Sequence, residues 1–96
     1  MPTYISLCRW TQQGAQKVNE SPARLDAAKK AFKKEGVKLL NFYMVLGSHD
    51  FVIISEAPND ETMAKIMLGA ISQGAITSQT SRAFTEEEYR KIMKSL

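Results

Sequence analysis

Apolar and polar positions alternate with a period of two from the start of the chain. Over residues 3 to 11, Tyr4, Ser6, Cys8 and Trp10 share one face and Ile5, Leu7, Arg9 and Thr11 the other, which predicts a first strand. Gln12-Gln13-Gly14 interrupts it, leaving room for a short helical turn over residues 12 to 18 that Gly14 weakens. At Ser21-Pro22 the pattern becomes helical: Leu25, Ala28 and Phe32 fall on one side, with Ser21 as the expected cap, Pro22 in the first turn and Gly36 as the stop. Residues 37 to 46 and 50 to 57 are rich in β-branched and aromatic side chains around Gly47-Ser48-His49, and read as a hairpin. Pro58-Asn59-Asp60 opens a helix over residues 60 to 73 that Gly74 ends. Its expected core stripe is Ala64, Met67, Leu68 and Ile71, and a second stripe of Met63, Ile66 and Ala70 widens the apolar arc to about 200°. A last strand over residues 75 to 84 is polar in its middle, from Thr77 to Arg82. Thr85 and Glu88 then form a capping box for a final helix with the stripe Tyr89, Ile92, Met93 and Leu96, and Phe84 and Tyr89 are spaced as a hydrophobic staple.

The order strand, helix, strand, strand, helix, strand, with a terminal helix, predicts an α+β fold: a ferredoxin-like βαββαβ sandwich with an antiparallel four-stranded sheet in the order 4-1-3-2. The prediction is a single domain over residues 1–96. Both alternating sets of the hairpin strands are apolar: Leu40, Phe42 and Met44 against Leu39, Tyr43 and Val45, then Phe51 and Ile53 against Val52 and Ile54. A sheet with one wet face alternates apolar with polar, so this one expects a cover on both sides. The simplest second cover is another copy of the chain, which predicts a homodimer through the sheet faces, with larger oligomers through the broad apolar arc of the second long helix.

Composition narrows the class without naming a job. At 44% hydrophobic and 24% charged, the chain is an ordinary globular sequence, neither disordered nor membrane-like. No apolar run approaches the roughly 18 to 20 residues of a membrane span. Met1-Pro2-Thr3-Tyr4 passes straight into strand-like sequence without the basic and apolar regions of a secretory signal. A single cysteine, Cys8, makes no intrachain disulfide, and the expected setting is the reducing cytoplasm. One histidine and one cysteine also fall short of the three or four ligands that a metal site needs, so no metal or cofactor is expected. The net charge of +3 is concentrated in Lys29, Lys30, Lys33, Lys34 and Lys38. These invite a nucleic-acid reading, but they also form the wet side of the helix whose inner side is Leu25, Ala28 and Phe32.

Gly47-Ser48-His49-Asp50-Phe51-Val52, then Glu56-Ala57-Pro58-Asn59-Asp60, then Thr80-Ser81-Arg82-Ala83-Phe84-Thr85 resemble the GYD-domain family in order and spacing. Thr11-Gln12-Gln13-Gly14 and Ser21-Pro22 match that family's first connection, so the resemblance covers essentially the whole chain. It implies membership of the dimeric α/β-barrel superfamily and carries no catalytic residue, activity or cofactor. The family typically has tyrosine where this chain has His49, so no role for a phenol hydroxyl transfers to that position.

The candidate ligand-binding residues are Trp10, His49, Asp50, Thr77, Ser78 and Arg82. The topology brings the turn at His49 and Asp50 to the sheet end that holds Trp10, Thr77 and Ser78. Arg82 lies toward the other end, near Tyr4, where it is placed to hold an anion or pair with Glu56. His49 is the residue type suited to proton transfer near neutral pH, yet no base, nucleophile or acid stands at a spacing that completes a catalytic set. The function these features favour is a non-enzymatic ligand-binding or interaction module. The alternatives are a small dimeric α/β-barrel enzyme of monooxygenase or isomerase type, and nucleic-acid binding through the Lys29 to Lys38 region.

Overall fold

A computed structural model describes residues 1–96. Four strands, β1 (Thr3–Trp10), β2 (Lys38–Met44), β3 (Phe51–Glu56) and β4 (Ile76–Ala83), form one antiparallel sheet in the order β2-β3-β1-β4, the predicted 4-1-3-2. Helices α1 (Gln12–Gln16) and α2 (Ser21–Lys34) connect β1 to β2, α3 (Asp60–Ser72) connects β3 to β4, and α4 (Glu86–Lys94) ends the chain. The shortest dimension of the molecule is 17 Å, as expected of one sheet under one layer of helices.

The register decides which side chains meet. Tyr4, Ser6 and Cys8 of β1 stand opposite Ser55, Ile53 and Phe51 of β3, and opposite Arg82, Thr80 and Ser78 of β4. This set faces the helices. With Phe32, Val37, Ala57, Met63, Ile66 and Met67 it supplies the core, in which Phe51 packs between Trp10 and Phe42 at ring-centre distances of 5.9 and 5.3 Å. The hydroxyl row of β4 finds its partners within the sheet: Thr80 Oγ1 lies 2.8 Å from Ser6 Oγ and 2.9 Å from Ser78 Oγ. Ser6 is fully buried, and this bond to the exposed Thr80 removes the cost of burying its hydroxyl.

Three sequence expectations change here. A β-bulge between Leu39 and Asn41 shifts the phase of β2, so Leu39 joins Phe42 on the helix side and Leu40 is left about half exposed. In α3 the buried side chains are Met63, Ile66 and Met67, whereas Leu68 is 66% exposed. The buried face thus takes Met63 and Ile66 from the second stripe and only Met67 from the expected core stripe, because α3 lies on the sheet with Tyr4 hydrogen-bonded to Asp60 in its first turn, which turns Met63 inward. At the start of α2, a 3-10 turn over Val18–Glu20 runs directly into the helix. Ser21 therefore already has helical backbone and does not act as the side-chain cap, while Pro22 does sit in the first turn.

The ends of α3 and α4 follow local rules. Asn59 Oδ1 accepts from the Thr62 backbone N–H at 2.8 Å. Thr85 and Glu88 complete the capping box, with Glu88 N to Thr85 Oγ1 at 3.2 Å and Thr85 N to Glu88 Oε1 at 2.9 Å. The Thr85 backbone N–H that Glu88 accepts holds its carboxyl below the usual range. The expected staple is replaced by a different contact: the Arg82 guanidinium lies 4.5 Å from the Phe84 ring centre, and Phe84 and Tyr89 both remain more than half exposed.

The Tyr4–Asp60 hydrogen bond ties the central strand to the first turn of α3. Burial first, then this bond and the charge of Asp60, push the Tyr4 phenol from 10.0 up to about 12. The folded chain therefore keeps the proton where an unfolded chain loses it. Its stabilising contribution is complete below about pH 10 and is lost as pH rises to about 12. We expect the melting temperature of the wild type to fall across that window, and Tyr4→Phe to start about 1 kcal/mol less stable but to show a shallower decline there. Parallel pH curves for the two proteins would refute the assignment.

Candidate functional site

The six sequence-predicted residues separate into three places. His49 and Thr77 come together in a cleft of about 280 Å³, with Leu7, Arg9 and Gln79 as its other walls; Ser78 borders it too, but its hydroxyl pairs with Thr80 on the helix side of the sheet. The cleft follows from the register: Leu7 stands opposite Gln79 and Arg9 opposite Thr77, all on the sheet face away from the helices. Gly47, at φ 122°, lets the β2–β3 connection turn back so that His49 closes one side, with its Nδ1 3.2 Å from Ser48 Oγ. Arg9 brings a guanidinium, Thr77 a hydroxyl and Gln79 an amide, with no carboxylate among the walls. Such a set of donors suits a small anionic or polar ligand.

Trp10 and Asp50 serve packing and connectivity. The Trp10 indole packs on Phe51 on the helix side, and its backbone N–H donates to Asp50 Oδ2 at 2.9 Å. The Asp50 backbone N–H donates in turn to the Cys8 carbonyl at 2.9 Å. Asp50 thus fastens the β2–β3 turn to β1 and so fixes where His49 stands. Arg82 is at the far end of the sheet, 3.7 Å from the Glu88 carboxylate and hydrogen-bonded to the Ala83 carbonyl. Glu56 is not its partner.

Cys8 lies on the opposite face from His49, fully buried, and burial pushes its thiol up. A protonated, enclosed thiol is a packing group.

A second, larger concavity escaped the sequence reading. Helices α2 and α3 stand apart over the sheet and leave a groove of about 770 Å³ between them, floored by Trp10, Phe42, Phe51 and Ile76 and flanked by Leu25 and Ile66. Small residues create the gap: α2 presents Ala27, Ala28 and Ala31, and α3 presents Gly69 and Ala70. Lys65 Nζ reaches Glu35 Oε1 at 3.1 Å and ties α3 to the end of α2 across the rim. The cue in the sequence was the number of alanines on the inner half of α2, too small to cover an aromatic floor.

The GYD domain model matches residues 4–93. A glutamine synthetase and cystathionine beta-lyase binding protein of Thermus thermophilus is 34% identical over 84 residues, an alignment covering 86% of this chain and 88% of that protein. Among solved structures, TTHA0845 from Thermus thermophilus superposes with a TM-score of 0.57 at 21% identity, over 88% of this chain and 95% of that one. MtbAldR superposes with a TM-score of 0.64 at 10% identity, and the 88% of this chain that aligns spans 54% of MtbAldR, about half its length. At these identities the two structures show a shared fold. No helix is long and apolar enough to cross a membrane. From Tyr4 through α4, in fold and in sequence, the chain belongs to the GYD-domain family.

Proposed function

We propose that this chain is a non-enzymatic binding module that pairs with a second copy through the open face of its sheet and, as a pair, docks on another protein. The observation that carries this is the uncovered face itself. Ile5, Leu7, Tyr43, Val52 and Ile54 point away from the helices, and Tyr43 is 56% exposed. Apolar burial is worth roughly 25 cal/mol per Å², and a stable interface takes about 800 Å² from each partner, an area that one sheet face and its rim can supply. Two such faces packed together form the dimeric α/β barrel that the sequence predicts. The cleft at Arg9, His49, Thr77, Ser78 and Gln79 then lies at the edge of the interface, where a second copy walls it off from solvent and makes it a ligand site. The kind of protein partner follows from the Thermus relative, whose name records binding to two metabolic enzymes.

Light scattering at micromolar concentration should return at least twice the mass of the 10.8 kDa chain. Val52→Lys should halve that mass and leave the circular dichroism unchanged. A wild-type monomer ends the self-association reading. For the partner, glutamine synthetase purified from the same host should co-elute with the wild type, and its passage through an immobilised chain without retention rejects that choice of enzyme.

A further inference from the structure

The chain carries an apolar groove and, separately, an amphipathic helix whose apolar stripe packs against nothing extensive. Tyr89, Ile92, Met93 and Leu96 form one stripe of α4 and its terminus, and all four are exposed, from 42% at Ile92 to 93% at Leu96. A free helix of this length is marginal in water. This one is nevertheless well supported from within, by its capping box and by the pairs Arg90–Glu86 at 2.8 Å and Lys91–Glu87 at 3.8 Å. In the single chain it is helical while its stripe is uncovered.

We propose that α4 of one copy docks in the α2–α3 groove of another copy, and that this helix-in-groove contact is a second interface, separate from the sheet face. The fit is of two kinds. The stripe of α4 presents large flexible and aromatic side chains, and the groove offers an aromatic floor between walls of alanine and glycine, so large groups meet space. The charges also match. The first turn of α4 is Glu86, Glu87 and Glu88, while α2 carries Lys29, Lys30, Lys33 and Lys34 toward its end, with Lys34 on the groove rim. Setting the acidic turn beside Lys33 and Lys34 runs α4 antiparallel to α2 and brings Lys91 and Lys94 toward the two acids at the start of α2, Glu20 and Asp26, which flank Arg24. The reverse orientation puts lysines against lysines.

The helix does not reach its own groove. It starts three residues past Ala83, at the sheet end away from Trp10 and Ile76, and none of its residues lines the groove. The groove and the open sheet face lie on opposite sides of the sheet, so both contacts form at once. With the helix and groove exchanged between two copies, the expected wild-type assembly therefore holds four chains. The lysines of α2, which suggested nucleic acid in the sequence, acquire a protein partner.

The test uses full-length variants and light scattering, with circular dichroism as the folding control. Ile92→Asp alters an exposed position and should halve the wild-type mass, as should Ala31→Glu on the groove wall. Val52→Lys should halve it independently, and Val52→Lys with Ile92→Asp should give a monomer. Charge reversal supplies the specific readout: Lys33→Glu with Lys34→Glu should halve the mass, and adding Glu86→Lys with Glu87→Lys should restore it. If Ile92→Asp and Ala31→Glu leave the mass unchanged while Val52→Lys halves it, the groove contact is rejected and the sheet pairing stands. If Val52→Lys has no effect while Ile92→Asp halves the mass, the sheet pairing is rejected and the groove contact stands. Failure of the second charge reversal to restore assembly rejects the antiparallel placement of α4.

Discussion

Gly14→Ala should cost about 3 kcal/mol or more and lower the melting temperature by at least about 10 °C. In most helices that exchange is favourable by about 1 kcal/mol. Here a Cβ at position 14 would stand 2.0 Å from the Ala75 carbonyl oxygen, and the neighbour is backbone, which cannot swing aside. The close approach is held from several directions. The Thr11 backbone N–H donates to the same Ala75 oxygen at 3.0 Å, and the Thr11 hydroxyl donates to the Gly74 carbonyl at 2.6 Å while accepting from the Gly14 N–H at 3.1 Å. Gly74 itself has φ +87°, which lets the chain leave α3 and enter β4. A methyl at position 14 must break this knot or move β4. Gly69→Ala is the internal comparison: its Cβ meets nothing within 4 Å, and the helical glycine should gain about 0.5 to 1 kcal/mol on replacement. Two glycine-to-alanine changes of opposite sign, read by thermal melting in one buffer, check the account. A neutral Gly14→Ala would mean that α1 can shift outward without loss.

Phe51→Ala should remove about 3 to 5 kcal/mol, out of a stability that for domains of this kind is about 5 to 15. Phe51 is 6% exposed and is the ring on which Trp10 and Phe42 both pack. Its loss takes away their shared contact surface and opens the core into the α2–α3 groove. Because the void joins an existing concavity, the loss should fall toward the lower figure, and the urea midpoint should drop by about 2 M. Trp10 is the natural reporter, since its indole loses a packed neighbour and its emission should shift to the red in the folded variant. A loss below about 1 kcal/mol would show that the helices close over the gap.

Some of this molecule was legible in the order of residues and some was not, and the division follows the range of the forces involved. The final helix could be read with its cap because Thr85 and Glu88 act over three residues. The strand order followed from element order and crossover handedness. By contrast, the buried stripe of α3 depends on how that helix is rotated on the sheet, which Tyr4 and Asp60 help to set from fifty-six positions apart. The phase of β2 depends on one extra residue near Leu40, which strict alternation does not contain. Gly14 looked like a weak point in a short turn, although its value lies in a contact with the backbone at Ala75, far along the chain. Of the candidate site, His49, Thr77 and Ser78 were placed together by topology alone. Arg9 and Gln79 were passed over because, in one dimension, they are only the polar members of two strands. The groove was missed for a related reason: a row of alanines reads as ordinary helix until the distance to the next helix is known.

The bulge in β2 also bears on how such a chain avoids fibrils. A protein with apolar side chains on both sheet faces and unpaired peptide groups along its outer strands has the ingredients for indefinite edge-to-edge stacking. Strand stacking of that kind requires a flat edge whose amides match an incoming strand residue for residue. At Leu39 and Asn41 the outer strand breaks that match and twists, so a neighbour that begins to zip along β2 loses register before it is half bound. The bulge leaves the apolar faces untouched, while a single extra residue opposes endless addition along this edge.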